Sequence, residues 1–224
     1  MTARLRRLGQ VLISLLFPTR CVLCGGIIKA DREEICPECA AELKRPTAEM
    51  SVDFTEGVAC AVLYEGAVRA AFLRYKFSGQ SWLAEVFGEL LAEAVADKLD
   101  GRFDAITYPP LSAKRLKKRG YDQARLLAEQ VGQRLGYPVI ASLRKVRNTV
   151  SNSSMTGEDA KQQRAENVSG VYEALAGIEG RRLLLIDDIL TTGSTMSECA
   201  KTLLLGGAES VVCAAFGRAD KGDA

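Results

Sequence analysis

The most constraining segment of this chain is the run Leu183–Ile186, which is followed at once by Asp187 and Asp188. Its apolar residues do not alternate with polar ones, and such a run is typical of a strand buried on both faces of a parallel sheet. The two carboxylates then stand where the strand is expected to leave the sheet. Because open α/β sheets bind ligands outside the carboxyl ends of their strands, this position is a candidate binding site.

A loop of small hydroxyl residues comes next and leads into a predicted helix with an apolar face. The loop residues are Thr191, Thr192, Gly193, Ser194 and Thr195. Thr195 and Glu198 have the spacing of a capping box, which places the start of the helix at the end of this loop. Free N–H groups, the helix dipole and several hydroxyls together favour an anion, and phosphate is the usual one. Gly193 would allow a close approach of the backbone to that anion.

The two halves of this segment together indicate a phosphorylated ribose. Two carboxylates would repel a polyphosphate alone, but they can accept hydrogen bonds from ribose hydroxyls or face a bridging Mg²⁺. Either half alone is better explained by structure: the carboxylates by a solvated loop, and the Thr, Ser and Gly residues by an ordinary turn. The combination on a strand–loop–helix frame favours the ligand site.

Other common sites are excluded. The chain has neither the G-x-x-x-x-G-K-[ST] nor the G-x-G-x-x-G phosphate loop. It has no histidine, which removes Ser-His-Asp and Cys-His catalysis and all His-ligated metal sites. The net charge of +2 gives no global field for nucleic acid or membrane, so any basic patch must be local.

Residues 183–195 resemble the 5-phosphoribosyl-1-pyrophosphate (PRPP) motif of type I phosphoribosyltransferases. The resemblance implies that Asp187 and Asp188 contact the ribose 2- and 3-hydroxyls. It also implies that Thr191 to Thr195 surround the 5-phosphate. We add Lys76, between two predicted helices, to the expected PRPP contacts.

Four cysteines near the N-terminus predict a structural zinc site. Cys21 and Cys24 form one C-x₂-C pair, and Cys36 and Cys39 form a second one eleven residues later. Paired knuckles of this kind are typical of tetrahedral Cys₄ zinc. Disulfides and a thioredoxin-like redox pair are the alternatives. The first needs an oxidising compartment and the second does not explain two knuckles.

The sequence suggests four regions. Residues 1–20 are expected to form an amphipathic helix ended by Pro18, which covers the rest of the protein or docks reversibly on a membrane surface. Residues 21–45 form the zinc ribbon, 46–57 a polar linker, and 58–224 the main α/β domain. We expect a cytoplasmic protein with no transmembrane segment, since the apolar part of residues 1–17 is too short to span a bilayer.

A basic run, Lys114–Arg119, follows the predicted strand Phe103–Tyr108 and has five cations in six residues. A solvated basic loop is the simplest interpretation. Its place after a strand end also puts Arg115 and Arg119 on the same sheet edge as Asp187, where they could neutralise the pyrophosphate of PRPP. Contact with nucleic-acid phosphates is the third possibility.

The remaining pattern predicts further elements of the main domain. Residues 144–167 lack periodicity and are expected to form a mobile lid over the site. Cys60, Cys199 and Cys213 lie in apolar contexts and are expected to be inert core thiols. The other predicted strands are Val58–Tyr64, Val168–Tyr172 and Ser210–Phe216, the last of which closes the sheet, and the predicted helices are Ala67–Phe77, Trp82–Leu99 and one over Tyr121–Leu135.

Across almost its whole length the chain resembles the ComF (competence protein F) family. The resemblance rests on the cysteine knuckles, on Arg115-x-x-x-Arg119-Gly120-Tyr121-Asp122-Gln123-Ala124, and on Arg144-x-x-Arg147-x-Thr149 with Arg164-x-x-Asn167. In that family Tyr121-Asp122 is usually Phe-Asn, and a Gln usually stands near Asn152.

This resemblance implies a type I phosphoribosyltransferase-like parallel sheet flanked by helices, with a small N-terminal zinc ribbon. It further implies structural Zn²⁺, Mg²⁺ bound together with PRPP, and a part in natural transformation, with single-stranded DNA and DNA-uptake proteins as partners. The expected activity is a Mg²⁺-dependent phosphoribosyltransferase whose acceptor the family does not supply. The alternative is a non-catalytic module that senses PRPP or a nucleotide and binds nucleic acid or partner proteins.

Overall fold

The computed structural model describes residues 18–28, 34–147 and 170–219. The helix expected within residues 1–17, nearly all of the expected lid and the C-terminal tail lie outside these ranges. Within them, no helix has the length and apolar character needed to cross a membrane.

The described residues form six strands and six α-helices. The strands are β1 (Val58–Leu63), β2 (Ala105–Thr107), β3 (Leu143–Lys145), β4 (Tyr172–Ala174), β5 (Arg182–Leu190) and β6 (Ser210–Arg218). The helices are α1 (Pro37–Glu42), α2 (Gly66–Phe77), α3 (Ala84–Leu99), α4 (Ala113–Arg119), α5 (Gln123–Leu135) and α6 (Ser194–Leu205), with a 3₁₀ turn at Ser81–Leu83.

A parallel sheet with strand order β1-β6-β5-β2 forms the centre of the main domain, as far as the described residues show. Residues Leu183–Ile186 of β5 are fully buried, which explains their unbroken apolar character. The last pair between β2 and β5 joins Thr107 to Leu185, so the second half of β5 extends past β2. The side of β5 that carries Asp187 and Asp188 is thereby opened to a ligand.

The position of β6 corrects one expectation. The sequence suggested that this strand closes the sheet, but it lies between β1 and β5 and pairs with both. All its residues except Arg218 are buried. Burial on both faces is what an interior parallel strand requires, and sequence order alone does not reveal it.

The basic run is a helix and not the solvated loop that its charge suggested. The Ser112 hydroxyl caps the first turn of α4 by accepting from the Arg115 N–H at 3.4 Å, and Gly120 ends the helix in the left-handed region with φ 83°. Lys and Arg are good helix formers, so the caps decide the structure here.

Two other boundaries differ from the sequence pattern. The predicted strand Val168–Tyr172 is observed as Tyr172–Ala174, antiparallel to Leu143–Lys145 at the start of the expected lid. Two paired strands of three residues are too short to show a period of two. The helix predicted from Trp82 begins at Ala84, after the 3₁₀ turn.

Candidate functional site

Asp187 and Asp188 lie together at the exposed end of β5. Both side chains are half-buried. The Asp187 carboxylate accepts from the Asp188 N–H at 2.7 Å, and the Asp188 carboxylate accepts from the Ile189 N–H at 2.7 Å. These contacts leave carboxylate oxygens that can accept further hydrogen bonds or face a cation.

The acidic pair is electrostatically strained. Burial and, next, the negative charge of Asp188 raise the pKa of Asp187 to about 7, while Lys76 opposes the shift. A hydroxyl-rich or cationic ligand beside this pair would relieve the repulsion. A strongly perturbed carboxyl at the end of a parallel strand is the pattern expected of a functional site.

Lys76, which we expected to contact PRPP, forms an ion pair with Asp188. Its Nζ lies 2.6 Å from Asp188 Oδ2, and the side chains of Lys76 and Asp188 are only 23% and 17% exposed. Lys76 stands in the last turn of α2, so this helix supplies a cation in direct contact with Asp188.

The loop after β5 forms a tight turn directly into α6. Gly193 has φ 76° and is the N-cap of the helix, which therefore begins at Ser194. The Thr192 and Ser194 hydroxyls are 2.8 Å apart, which places two potential donors side by side. Thr191 and Thr195 flank this pair in the sequence, and the N–H groups of the first helical turn lie at the same place, which suits a phosphate.

The predicted capping box at Thr195 is wrong. Because Gly193 turns the chain in the left-handed region, the helix starts before Thr195 is reached. Glu198 accepts instead from the Gly170 N–H at 2.5 Å, which ties the loop before β4 to α6.

Val52 supports this turn and was missed in the sequence analysis. It is 5% exposed, and a Cβ on Gly193 would lie 3.2 Å from its Cγ2 atom. The segment 46–57, which was expected to be a polar linker, therefore packs through Val52 against the loop formed by residues 191–195. The alternating apolar residues Met50, Val52 and Phe54 were the available signal.

The basic side chains of helix α4 lie on two faces, one half-buried and one exposed. Arg115 and Arg119 are one helical turn apart and half-buried, whereas Lys114, Lys117 and Lys118 are exposed. Arg119 donates to Gln123 Oε1 at 2.8 Å, and its guanidinium lies 5.3 Å from the centre of the Phe77 ring. Burial lowers the pKa of Arg119 while the Asp188 carboxylate opposes that shift, so Arg119 belongs electrostatically to the acidic site.

The charge of Arg115 acts on a second cation, Lys145 of β3. Burial and then the charge of Arg115 lower the pKa of Lys145, while Asp187 raises it. Lys145 was assigned to the lid in the sequence analysis, but its amine contacts the Tyr172 hydroxyl at 3.4 Å on the β3–β4 pair. It is thus a further cation that interacts electrostatically with Asp187, and only the tertiary structure identifies it.

An open cleft of about 490 Å³ runs beside this cation pair, between residues 110–113 and 143–147, with Leu175 at its end. Asp122 fixes one wall, since its carboxylate accepts from the Leu111 N–H at 2.9 Å and from the Arg125 N–H at 3.2 Å. The loop after β2 is therefore tied to the start of α5. A ligand larger than a ribose phosphate has room here.

The four N-terminal cysteines converge in space. Their sulfur atoms all lie within 4.8 Å of one another, and Cys24 Sγ and Cys36 Sγ are 3.8 Å apart. A tetrahedral zinc with Zn–S bonds of about 2.3 Å requires sulfur separations of about 3.8 Å, so the cluster fits the ion. A disulfide needs about 2.05 Å between sulfurs, and all seven cysteines of the chain are unbridged.

Backbone N–H groups surround the cysteine sulfurs. Cys21 Sγ accepts from the Cys36 N–H at 3.3 Å, and Cys24 Sγ accepts from the Gly26 N–H at 3.4 Å. Burial alone would raise the pKa of Cys21, but backbone hydrogen bonds from Cys24 and Cys36 bring it down to about 6. A thiolate is therefore already favoured at one zinc ligand.

The other three cysteines are core residues, as expected. Cys60, Cys199 and Cys213 are at most 3% exposed. Burial raises the pKa of all three thiols, to about 12 for Cys60. They have no part in the metal site.

Protein-family models match both the region of the cysteine cluster and the region of the acidic pair. A family model described as a double zinc ribbon domain matches residues 12–51, and one described as a phosphoribosyl transferase domain matches residues 116–223. The zinc model and the cysteine cluster together support structural Zn²⁺. The residues matched by the second model include β5, the acidic pair and the loop into α6.

Curated relatives match over much of the chain. Competence protein ComFC of Streptococcus pneumoniae is 30% identical over 197 residues, which are 85% of this chain and 84% of that protein. Competence protein F of Haemophilus influenzae is 32% identical over 146 residues, and the match spans 62% of either chain. DNA utilization protein YhgH of Escherichia coli K12 is 24% identical over 85% of this chain and 86% of that protein.

Solved structures show weaker similarity. Glutamine PRPP amidotransferase from B. subtilis matches 59% of this chain and 25% of its own, with 22% identity and a TM-score of 0.40. Adenine phosphoribosyltransferase from Thermoanaerobacter pseudethanolicus matches 62% of this chain and 84% of its own, with 20% identity and a TM-score of 0.36. Similarity at this level has no bearing on function.

The family follows from the curated relatives and from the two domain models. A ComFC protein that is 30% identical matches 85% of this chain. The zinc ribbon model and the phosphoribosyl transferase model both match this chain. The chain belongs to the ComF (competence protein F) family.

Proposed function

We propose that this chain binds PRPP with Mg²⁺ at the end of β5 and acts in the handling of DNA taken up by bacteria. The observation that carries the first part is the placement of Asp187 and Asp188 beside the Gly193 turn at the start of α6. The second part rests on relatives named for competence and DNA utilization. Seven unbridged cysteines suit a reducing compartment, so we place the protein in the cytoplasm, with peripheral membrane contact as an option.

Each part of the site has a task in this proposal. Asp187 and Asp188 accept hydrogen bonds from the ribose hydroxyls, while residues 191–195 hold the 5-phosphate through hydroxyls and helix N–H groups. Arg119, Arg115 and Lys76 are the cations that we assign to the pyrophosphate, and Lys76 would exchange its contact with Asp188 for the ligand. The two carboxylates and the phosphate oxygens fit Mg²⁺, which when bound would neutralise pyrophosphate charge.

The proposed reaction is displacement at ribose C1. The C1–O bond to pyrophosphate breaks with its electron pair leaving on oxygen, and an acceptor lone pair forms the new bond to C1. The acceptor loses its proton to solvent or to a nearby base. The chain contributes orientation of the ribose and stabilisation of the leaving group by Arg119 and Arg115.

This activity is tested by ³¹P NMR of PRPP incubated with Mg²⁺ and a panel of nucleobases and amines. We expect pyrophosphate release that depends on one acceptor class and is lost in Asp187→Asn. The exposed Asp97 on α3 gives the matched control Asp97→Asn, which should behave like the wild type. Pyrophosphate release that persists in Asp187→Asn would reject the assigned site, and PRPP binding without any release would favour the sensing alternative.

The role in DNA handling is tested separately, in a naturally transformable bacterium whose own ComF gene is deleted. Expression of this chain should restore transformation, and Asp187→Asn should not. Equal rescue by both chains would show that the biological role does not use the PRPP site.

A second candidate function, binding of single-stranded DNA, is favoured by the exposed lysines of α4. Lys114, Lys117 and Lys118 point to solvent while the arginines of the same helix turn inward. Two lost phosphate contacts should reduce the salt slope of single-strand binding by about 1.4. Lys117→Ala/Lys118→Ala should show this reduction, and the exposed pair Lys98→Ala/Lys201→Ala should not. Identical slopes would remove α4 as the contact.

A further inference from the structure

Helix α2 connects the zinc knuckle to the proposed PRPP site through two residues of its last turn. Arg74 lies on the side of the knuckle, and Lys76 lies on the side of the acidic pair. Residues two apart on a helix face nearly opposite directions, so one turn of α2 is held from both sides.

The contact with the zinc knuckle is direct. One Nη atom of Arg74 donates to the Val22 carbonyl at 2.7 Å and to the Leu23 carbonyl at 3.0 Å. These two residues form the turn between Cys21 and Cys24, and they are 4% and 1% exposed. The orientation of their carbonyls depends on the turn that the cysteine pair closes around a metal ion.

The knuckle and α2 also share one apolar core. Val22 and Leu23 belong to the same buried cluster as Phe72 and Tyr75 of α2. Closely packed interiors transmit displacement because they have little free volume to absorb it. A change in the knuckle turn therefore reaches α2 by packing as well as by the hydrogen bonds of Arg74.

The other side of the same turn holds the site. Lys76 Nζ contacts Asp188 at 2.6 Å, and the Tyr75 carbonyl accepts from the Tyr121 hydroxyl. The Tyr75 hydroxyl in turn donates to the Gln123 carbonyl at 2.9 Å, next to the Gln123 side chain that receives Arg119. A shift of this turn would move Lys76 and Arg119 relative to the acidic pair.

We propose that zinc in the knuckle and PRPP at Asp188 are coupled ligands, and that Arg74 is the positioning residue through which the zinc-bound turn fixes Lys76. The inference rests on the proposed PRPP binding and adds zinc-dependent control of it. Linkage makes the coupling reciprocal: PRPP tightens zinc binding by the same factor by which zinc tightens PRPP binding. Allosteric couplings are commonly about fivefold to 150-fold, and we expect at least fivefold.

The test uses Arg74→Met, which keeps the apolar stem and removes the donors, with Arg69→Met as the matched control on the exposed side of the same helix. Zinc affinity is measured by competition with a chelator, with and without saturating PRPP and Mg²⁺. We expect PRPP to raise zinc affinity at least fivefold in the wild type and in Arg69→Met. In Arg74→Met the factor should fall to about one. An unchanged factor in Arg74→Met would overturn the proposal, and so would a wild-type factor of one.

A second measurement does not need PRPP. Amide hydrogen exchange of residues 71–79 is compared between zinc-loaded Arg74→Met and zinc-loaded Arg69→Met, so that no metal has to be removed. We expect faster exchange in Arg74→Met at the end of α2, with α3 unchanged. Faster exchange without any PRPP binding would reject the proposed function while retaining Arg74 as the link. Equal exchange in both variants would reject the link itself.

Discussion

Ionisation of Asp187 should control PRPP affinity near neutral pH. Burial and the charge of Asp188 raise the pKa of this carboxyl to about 7 in the free protein. The protonated acid is a poorer acceptor for ribose hydroxyls and does not attract Mg²⁺. Binding therefore selects the ionised form and should release a proton when the pH is below about 7.

The size of the effect follows from the ionised fraction. For a pKa of about 7, Asp187 is about 9% ionised at pH 6 and about 90% ionised at pH 8. Apparent affinity scales with the competent fraction, so the dissociation constant should fall about tenfold between these values. The stability of the free protein changes with pH in the opposite direction to PRPP affinity. Because the folded-state pKa of Asp187 is raised above 3.8, the contribution of this residue to the free energy of unfolding declines as pH rises from about 4 through about 7.

Calorimetry at pH 6, 7 and 8 with saturating Mg²⁺ measures this dependence, and buffers of different ionisation enthalpy count the released protons. PRPP also titrates, because its phosphate groups have a second pKa near 6. The pKa of the PRPP–Mg²⁺ complex is measured separately, by potentiometric titration without protein, and its contribution is subtracted. If no pH dependence and no proton release remain after this subtraction, the reasoning about Asp187 is refuted.

Two further predictions concern the turn and the metal. Gly193→Ala places a Cβ at φ 76° and 3.2 Å from Val52, so it should cost about 1–2 kcal/mol in a thermal melt and weaken PRPP binding. Gly101→Ala is the control, since Gly101 has φ 70° and an added Cβ there would have no atom within 4 Å. It should lower stability without changing PRPP affinity. Equal losses of PRPP affinity in the two variants would contradict the assigned phosphate loop. Chelation should raise hydrogen exchange across residues 21–28 and 34–45, and about one zinc should be found per freshly purified, reduced chain. Finding essentially no zinc would contradict the metal site.

The sequence predicts the strand β5, its acidic pair and the cysteine knuckles because each depends on residues close together in the chain. Four apolar residues in succession, or two C-x₂-C pairs, can be recognised from neighbouring residues alone. The α4 helix was obscured because its charge dominated the pattern, although Ser112 and Gly120 supplied both caps. The start of α6 was misplaced because Gly193 adopts the left-handed region, which only the backbone shows.

Other features depend on distant parts of the chain and could not be predicted. Nothing in the sequence distinguishes Arg74 from other helical arginines. Its role appears only when α2 is packed against the Cys21–Cys24 turn and Arg74 can donate to the Val22 carbonyl. The electrostatic interaction of Lys145 with Asp187 arises only in the folded domain, where β3 is paired with β4. The central position of β6 likewise reflects strand order, which sequence order does not determine.

The most direct test of the account is calorimetric titration of the zinc-loaded chain with PRPP, with and without Mg²⁺. The account predicts saturable binding of one PRPP per chain that requires Mg²⁺ and is abolished in Asp187→Asn/Asp188→Asn. Absence of binding to the wild type, or equal binding to the double variant, would contradict the claim that the end of β5 is a PRPP site.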